Sequence, residues 1–168
     1  MLRILNITAP NIADGDGVRV TLWVSGCTHH CKGCHTPWTW DFSKGLSYKE
    51  GIESIKLELT EWLSKYYIKG LTISGGDPMC QDEEGLSELL MLIEWVRRRY
   101  PNKDIWMYTG AVYENLIKVS GNRGKIIKKI LNSIDILVDG PYVEALRDIV
   151  HTPFRGSTNQ RILDMHKI

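Results

Sequence analysis

Residues 18–34 read VRVTLWVSGCTHHCKGC, and this stretch decides the fold. In its first half apolar and polar side chains alternate, so that Val18, Val20, Leu22 and Val24 would share one face of an extended chain. This alternation, with its β-branched side chains, predicts a β-strand. A serine and a glycine then end the strand, and three cysteines follow within the next eight residues. A strand is therefore predicted to carry a group of thiols at its carboxyl end.

The rest of the chain alternates between helix-like and strand-like patterns. Ser47 and Glu50 predict a capping box for the first helix, which Gly70 would end. Two further glycines, Gly121 and Gly124, are predicted to separate two short helical pieces. The further strands are predicted at residues 71–73, 105–109 and 134–138, and the helices at 47–70, 86–96, 112–119 and 125–132.

Strands that alternate with helices predict an α/β fold with a mainly parallel sheet, because parallel strands need a helix-sized crossover between them. We expect a single domain over residues 1–168. In such folds the chemistry gathers at the carboxyl ends of the strands. Those ends carry the polar segments 25–27, 74–77, 108–110 and 139–141. The four segments should meet at one rim of the sheet, where we place the site.

The composition excludes several classes of protein. The chain has 168 residues, with 21 basic and 20 acidic side chains and a formal net charge of +1. This near balance argues against nucleic-acid binding by bulk electrostatics. No apolar run approaches the roughly 20 residues of a membrane helix, and the amino-terminal residues lack the pattern of a secretory signal. We therefore expect a cytoplasmic protein without a nucleic-acid or membrane partner.

The cysteines are the informative part of the composition. Cys27, Cys31 and Cys34 are spaced Cys-x3-Cys-x2-Cys, whereas Cys80 lies far downstream and is predicted to be a small apolar residue at a helix start. A Cys3His zinc site is one reading of the cluster; its histidine would be His29, His30 or His35. The other reading is a [4Fe–4S] cluster with three thiolate ligands, which leaves one iron open to a small molecule.

Several segments resemble a known superfamily in the same order along the chain. The cysteine spacing after a strand, with a glycine loop ending the next strand, resembles the radical S-adenosylmethionine superfamily. Within it, the chain is similar to the glycyl-radical activating enzymes, and most similar to the activators of the anaerobic (class III) ribonucleoside-triphosphate reductases. The segments that carry this resemblance are residues 14–19, 23–27, 27–34, 74–78, 139–142 and 154–161.

The resemblance implies a fold, cofactors and site residues. The fold would be a partial, TIM-like βα barrel. Cys27, Cys31 and Cys34 would hold the cluster, and S-adenosylmethionine would chelate the fourth iron. No catalytic group beyond these cofactors is implied, because the cofactors themselves carry out the radical chemistry. The residues implied to contact S-adenosylmethionine are Gly33, Cys34, His35, Ser74, Gly75, Gly76, Asp77 and Asp139.

The implied reaction is the reductive cleavage of S-adenosylmethionine, followed by removal of a hydrogen from a glycine of the anaerobic reductase. The partners would be the catalytic subunit of that reductase and a one-electron reductant such as flavodoxin. Two alternatives stay open. One is an activator of another glycyl-radical enzyme of the pyruvate formate-lyase type, and the other is a non-enzymatic, zinc-binding interaction module.

Overall fold

The computed structural model describes residues 1–148, 150–151 and 153–168, and its strands form one mixed sheet. The strands are β1 (Arg3–Asn11), β2 (Arg19–Val24), β3 (Leu46–Ser47), β4 (Gly70–Gly75), β5 (Asp104–Tyr108), β6 (Ile136–Asp139) and β7 (Arg161–Asp164). Their spatial order is β3-β1-β2-β4-β5-β6-β7. In the part of the chain described, this α/β sheet is open, with β3 and β7 as its edges.

The four predicted strands form the parallel centre of the sheet. β2, β4, β5 and β6 lie side by side in chain order, and each neighbouring pair is parallel. The prediction of a mainly parallel sheet is nevertheless incomplete, because β1, β3 and β7 add three antiparallel pairings. The alternation rule missed β1, which contains asparagine and proline residues that are depleted in strands.

Three longer helices and one short helix connect the parallel strands. They are α1 (Tyr48–Leu63), α2 (Glu83–Arg99), α3 (Tyr113–Leu116) and α4 (Gly121–Ser133). The predicted cap is confirmed, since the hydroxyl of Ser47 accepts a hydrogen bond from the Glu50 N–H at 3.3 Å. The predicted end of this helix is wrong, because α1 stops at Leu63 and Gly70 begins β4.

The two helical pieces predicted on either side of Gly121 and Gly124 are observed as α3 and α4, but the break lies at residues 117–120 and Gly124 is not part of it. Gly121 begins α4 with φ = +72°, and Gly124 lies inside the helix. A Cβ on Gly124 would lie 1.9 Å from the carbonyl oxygen of Val119. Gly124 is therefore explained by the close approach of the chain to its own preceding turn rather than by a break in the helix.

The apolar core lies between the helices and the central strands. It includes fully buried side chains from α1, α2 and the parallel strands, such as Leu59, Leu89 and Ile73. Apolar residues at helical spacing on α1, α2 and α4 form the helix side of this core. Among the residues described, no helix combines the length and the apolar character needed to span a bilayer.

Candidate active site

The loop that carries the cysteines leaves the sheet at the carboxyl end of β2. The N–H groups of Gly26 and Cys27 donate to the carbonyl oxygens of Thr39 and Trp40, at 2.7 and 3.2 Å. These bonds close the loop onto the segment that follows it. Gly26 has φ = +101°, and a Cβ there would lie 2.0 Å from the ring of Phe42. Only glycine fits this start of the loop.

The three clustered cysteines open into one small cavity. All three are free thiols, and Cys27 is buried while Cys31 and Cys34 are partly exposed. The cavity has a volume of about 140 Å³ and lies at the carboxyl ends of the parallel strands. The backbone N–H of Thr36 lies 3.5 Å from the sulfur of Cys34, so this thiol already has a hydrogen-bond donor beside it. The predicted rim where strand ends converge is therefore confirmed, and its residues include Cys27, Cys31, Cys34, Gly75, Gly76, Thr109, Gly110 and Gly140.

The glycine loop after β4 packs directly against the start of the cysteine loop. The N–H groups of Gly76 and Asp77 donate to the carbonyl oxygens of Val24 and Gly26, at 2.9 and 2.7 Å. A Cβ on Gly75 or Gly76 would lie within 2.4 Å of that neighbouring backbone. The glycines are therefore required for the contact between the two loops.

The buried side chain of Asp77 connects the glycine loop to its neighbouring segments. Its carboxylate accepts hydrogen bonds from the Met79 N–H at 2.8 Å, the Gly110 N–H at 2.8 Å and the Thr109 hydroxyl at 2.9 Å. The ring of His29 also lies 2.8 Å from this carboxylate. Asp77 therefore links the cysteine loop, the glycine loop and the end of β5. Sequence reasoning placed Asp77 in the site but did not find this network.

His29 joins the cysteine loop to Asp77 and lines the small cavity. The hydrogen bond to Asp77 raises the pKa of the His29 imidazole, although partial burial opposes the shift. His30 points elsewhere and stacks on Trp40, with ring centroids 4.3 Å apart. The sequence placed both histidines near the cysteines, and only the geometry distinguishes them.

Cys80 lies beside the cysteine cluster, against the prediction of an ordinary apolar residue. The sulfurs of Cys27 and Cys80 and a carboxylate oxygen of Asp77 all lie within 4.8 Å of one another. The interaction between the two neighbouring thiols raises the pKa of Cys27 and lowers that of Cys80 to about 6. Cys80 is therefore a neighbour of Cys27 rather than an isolated apolar side chain.

A larger cavity of about 510 Å³ adjoins the small one. Both cavities are lined by Cys34, Thr36, Ser74, Tyr108 and Tyr142, among others. A molecule that reaches the cysteines could therefore extend into the larger space. Gln160 also lines both cavities, and the residues that line the larger cavity alone are Ala13, Asp14, Trp23, His35, Pro153, Phe154, Arg155 and Gly156.

The segment from Phe154 to Gln160 forms one wall of the larger cavity. The hydroxyl of Tyr108 donates to the carbonyl oxygen of Phe154 at 2.7 Å, and the Phe154 ring packs edge-on against Trp106. The side-chain oxygen of Gln160 accepts a hydrogen bond from the Gly156 N–H at 2.7 Å. Burial raises the pKa of Tyr108, which keeps its hydroxyl protonated as a donor.

Asp14 contributes a carboxylate to the larger cavity. Burial raises the pKa of this carboxyl, although hydrogen bonds from Asn11 and Thr21 act in the opposite direction. The amide of Asn11 donates to the carboxylate at 2.6 Å. Asp14 belongs to the segment that carries the family resemblance, but sequence reasoning did not select it as a site residue.

Two of the predicted contact residues have their described neighbours elsewhere in the chain. Asp139 is buried, and its carboxylate is paired with the Arg161 guanidinium and accepts the Tyr113 N–H at 2.8 Å. Gly33, with φ = +76°, faces Glu144, whose Cδ would lie 3.0 Å from a Cβ at this position. The prediction that these two residues contact a ligand gains no support from their positions, because the described lining of both cavities omits them.

The donor set of the small cavity fits an iron–sulfur cluster. Thiolates are soft ligands suited to iron–sulfur clusters and to zinc, and three of them face one space here. Backbone amides supply hydrogen bonds of the kind that surrounds cluster sulfurs, as Thr36 does at Cys34. The cavity also continues into the larger one, so a metal bound by the three thiols would keep an accessible position.

Comparison with known proteins agrees with this geometry. Residues 13–163 match the family described as "4Fe-4S single cluster domain". The chain is 37% identical over 153 residues to the anaerobic ribonucleoside-triphosphate reductase-activating protein of Enterobacteria phage T4. This alignment covers 90% of this chain and 87% of the relative. It is 37% identical to the protein of the same name from Haemophilus influenzae, over 90% and 91% of the two chains. The Escherichia coli K12 protein of that name is 34% identical over 89% and 90%.

Proposed function

Because the chain belongs to the family of anaerobic ribonucleoside-triphosphate reductase-activating proteins, we propose that it generates the glycyl radical of such a reductase. In this proposal it is a radical S-adenosylmethionine enzyme of the oxidoreductase class. A bound [4Fe–4S] cluster supplies one electron that cleaves S-adenosylmethionine, and the cleavage leads to removal of a hydrogen from a glycine of the partner.

The proposed cluster ligands are Cys27, Cys31 and Cys34. One observation carries the proposal: these three cysteines line the same small cavity as the glycine loop. The described lining of that cavity does not include Cys80. Three thiolates leave one iron without a protein ligand, as a catalytic site requires. A zinc site of the structural kind would instead be closed by four protein ligands.

S-adenosylmethionine is proposed to lie across both cavities. Its amino group would meet the carbonyl groups of the loop from Ser74 to Gly76, which lines the small cavity. Cys34 and His35 would contact its nucleoside part, since both line the larger cavity. Asp77 acts in this proposal by holding the loop rather than by touching the ligand, because its carboxylate is already occupied by donors from three segments.

The remaining predicted residues have supporting roles. Gly33 contributes the turn that brings Cys34 back toward the cavity, where the Cys34 N–H donates to the Cys31 carbonyl oxygen at 3.1 Å. Asp139 fixes the end of β6 through Arg161. The wall of residues 154–160, held by Tyr108, would cover one side of a ligand in the larger cavity and limit the access of water to it.

The topology supports a partial barrel within a single domain of residues 1–168. The parallel strands follow chain order without reversal, and crossovers between parallel strands are right-handed in almost all proteins. Successive crossovers therefore place the helices on one face, as in a βα barrel. An open sheet leaves room for a loop of the reductase to reach the site. A reducing compartment such as the cytoplasm suits four free thiols, and flavodoxin is the proposed electron donor.

The test is anaerobic reconstitution with iron and sulfide, followed by assays with S-adenosylmethionine and a reductant. We expect about four irons per chain, as the cofactor requires, together with formation of methionine and 5′-deoxyadenosine. Addition of the reductase should give a glycyl doublet in electron paramagnetic resonance. Serine at position 27, 31 or 34 should abolish cleavage, whereas Cys80→Ser should keep its iron.

Other outcomes would overturn the proposal in different ways. A colourless, zinc-loaded protein would favour the interaction module. A glycyl doublet that forms only with another glycyl-radical enzyme, such as pyruvate formate-lyase, would change the partner and keep the chemistry. Full cleavage by any of the three serine variants would refute the assignment of the cluster ligands.

A further inference from the structure

Cys80 lies outside the three-cysteine motif and yet faces it. It ends the short turn Pro78–Cys80 that follows the glycine loop. Its sulfur lies within 4.8 Å of the Cys27 sulfur and 3.3 Å from the hydroxyl of Thr28. A cysteine that served only as a small apolar residue would pack among core side chains. Cys80 instead faces a sulfur and a hydroxyl, both of which are hydrogen-bonding groups.

The backbone on both sides of Cys80 is fixed by buried hydrogen bonds. The side-chain amide of Gln81 donates to the Ser25 carbonyl oxygen at 2.9 Å and to that of Asp77 at 3.1 Å. The Arg123 guanidinium donates to the carbonyl oxygens of Met79 and Gln81, at 2.9 and 2.5 Å. The turn is therefore attached to the end of β2, just before Cys27. The backbone of Cys80 therefore cannot move away from that of Cys27 unless these bonds break.

The position of Cys80 has a consequence once Cys27 binds iron, and in this respect the inference rests on the proposed function. A thiol that coordinates a metal is deprotonated, so the sulfur of Cys27 becomes an acceptor only. Two acceptors then lie near the Cys80 thiol, the Thr28 hydroxyl at 3.3 Å and the Cys27 sulfur within 4.8 Å. If the Thr28 hydroxyl donates to the Cys80 sulfur, the Cys80 S–H is available for the Cys27 sulfur. Hydrogen bonds to cluster sulfurs are among the factors that set the reduction potential of iron–sulfur clusters.

We propose that Cys80 is a positioning residue whose thiol donates to the Cys27 sulfur and raises the reduction potential of the cluster. A reduced cluster carries more negative charge on its sulfurs than an oxidised one. A donor beside Cys27 therefore stabilises the reduced state more strongly. Removal of this donor makes the cluster harder to reduce.

The test compares the wild type with Cys80→Ala, Cys80→Val and Cys80→Ser after anaerobic reconstitution. The reduction potential is measured by titration followed with electron paramagnetic resonance, and iron and sulfide are counted in each protein. We expect alanine and valine to shift the potential to more negative values. Serine, which keeps a donor, should restore most of the difference. Iron content should be equal in all four proteins.

A substitution of the neighbouring Met79 serves as the matched control for the three Cys80 variants. Met79→Leu keeps the volume of a buried apolar neighbour in the same turn and should leave the potential unchanged. Equal potentials in the wild type and both apolar variants would refute the hydrogen bond. Loss of iron from those variants would make Cys80 a ligand and also refute it. A wild type that assembles no cluster would refute the proposed function itself.

Discussion

At the scale of single residues, Asp77 shows how one carboxylate holds two functional loops together. It is buried, and its partners come from the cysteine loop, the turn after the glycine loop, and the end of β5. A buried N–H group without an acceptor costs free energy comparable to its desolvation. The arrangement of the site therefore depends on a side chain that need not touch the substrate.

Asp77→Ala should lower the free energy of unfolding by about 3 kcal/mol, because a buried donor at Met79 and a partly buried one at Gly110 lose their acceptor. Denaturation by urea under anaerobic conditions measures the loss. The matched control is Asp82→Ala, which removes an exposed N-cap carboxylate from α2 and should cost about 1 kcal/mol. An equal loss in the two variants would show that the Asp77 network contributes no more than an ordinary cap.

Comparison of Gly75 with Gly121 distinguishes two reasons why a glycine cannot be replaced without strain. Both have positive φ angles, +115° and +72°, but only Gly75 has backbone within 4 Å of an added Cβ, at 2.4 Å from the Val24 carbonyl oxygen. Gly121→Ala should cost about 1 kcal/mol through its backbone conformation alone. Gly75→Ala should cost about 3 kcal/mol, because β2 must also move. Equal losses in denaturant titrations would contradict the role of close packing.

At the scale of elements, Asp135 joins the end of α2 to the starts of β5 and β6. Its carboxylate pairs with Arg97 at 2.6 Å, accepts the Ile105 N–H at 2.7 Å and contacts His166 at 2.6 Å. Burial would raise the pKa of Asp135, but hydrogen bonds from these three partners lower it below the ordinary value. The folded state therefore favours the ionised carboxylate.

A lowered pKa means that Asp135 contributes stability above the unfolded pKa of about 4. This contribution is lost as the pH falls through the folded value. Asp135→Asn should therefore reduce the free energy of unfolding by about 2 kcal/mol at pH 7, and the difference from the wild type should shrink below pH ~4. Urea titrations across this range measure it, with Glu53→Gln on the exposed side of α1 as the control. A difference that stays constant with pH would contradict the assignment.

Elements with a strong local pattern were predictable from the sequence, and the others were not. The alternation in β2 and the cap at Ser47 are local signals, and both lead to the observed elements. β7 has four residues and is defined by its pairing with β6, so its signal is not local. The end of α1 was missed because apolar spacing continues to Tyr66, which the structure leaves 95% exposed.

At the scale of the whole molecule, the site is a pair of joined cavities rather than a list of motifs. The cysteine spacing and the glycine loop predicted the rim of the sheet where the small cavity lies, because both follow predicted strands. The wall from Phe154 to Gln160 and the approach of Cys80 to Cys27 depend on contacts between distant segments. Such contacts leave no spacing pattern in the chain, and only the fold reveals them.

The wall of the larger cavity provides the last prediction. Tyr108 holds the wall through one hydrogen bond to the Phe154 carbonyl oxygen. Tyr108→Phe removes the donor and keeps the ring, so the wall should be less well ordered when S-adenosylmethionine binds. We expect about a fivefold weaker Kd, which corresponds to about 1 kcal/mol. Equilibrium binding to the reconstituted protein measures this change.

Two comparisons decide whether Tyr108 acts through the wall. Tyr66→Phe removes a hydroxyl from a side chain that is 95% exposed and should leave the affinity unchanged. Iron content should be the same in both variants, because Tyr108 makes its described hydrogen bond to the wall and not to the cysteine loop. If Tyr108→Phe bound S-adenosylmethionine as tightly as the wild type, the wall would not contribute to binding. If it lost iron, Tyr108 would instead support the cluster, and the division of the site into two cavities with separate roles would fail.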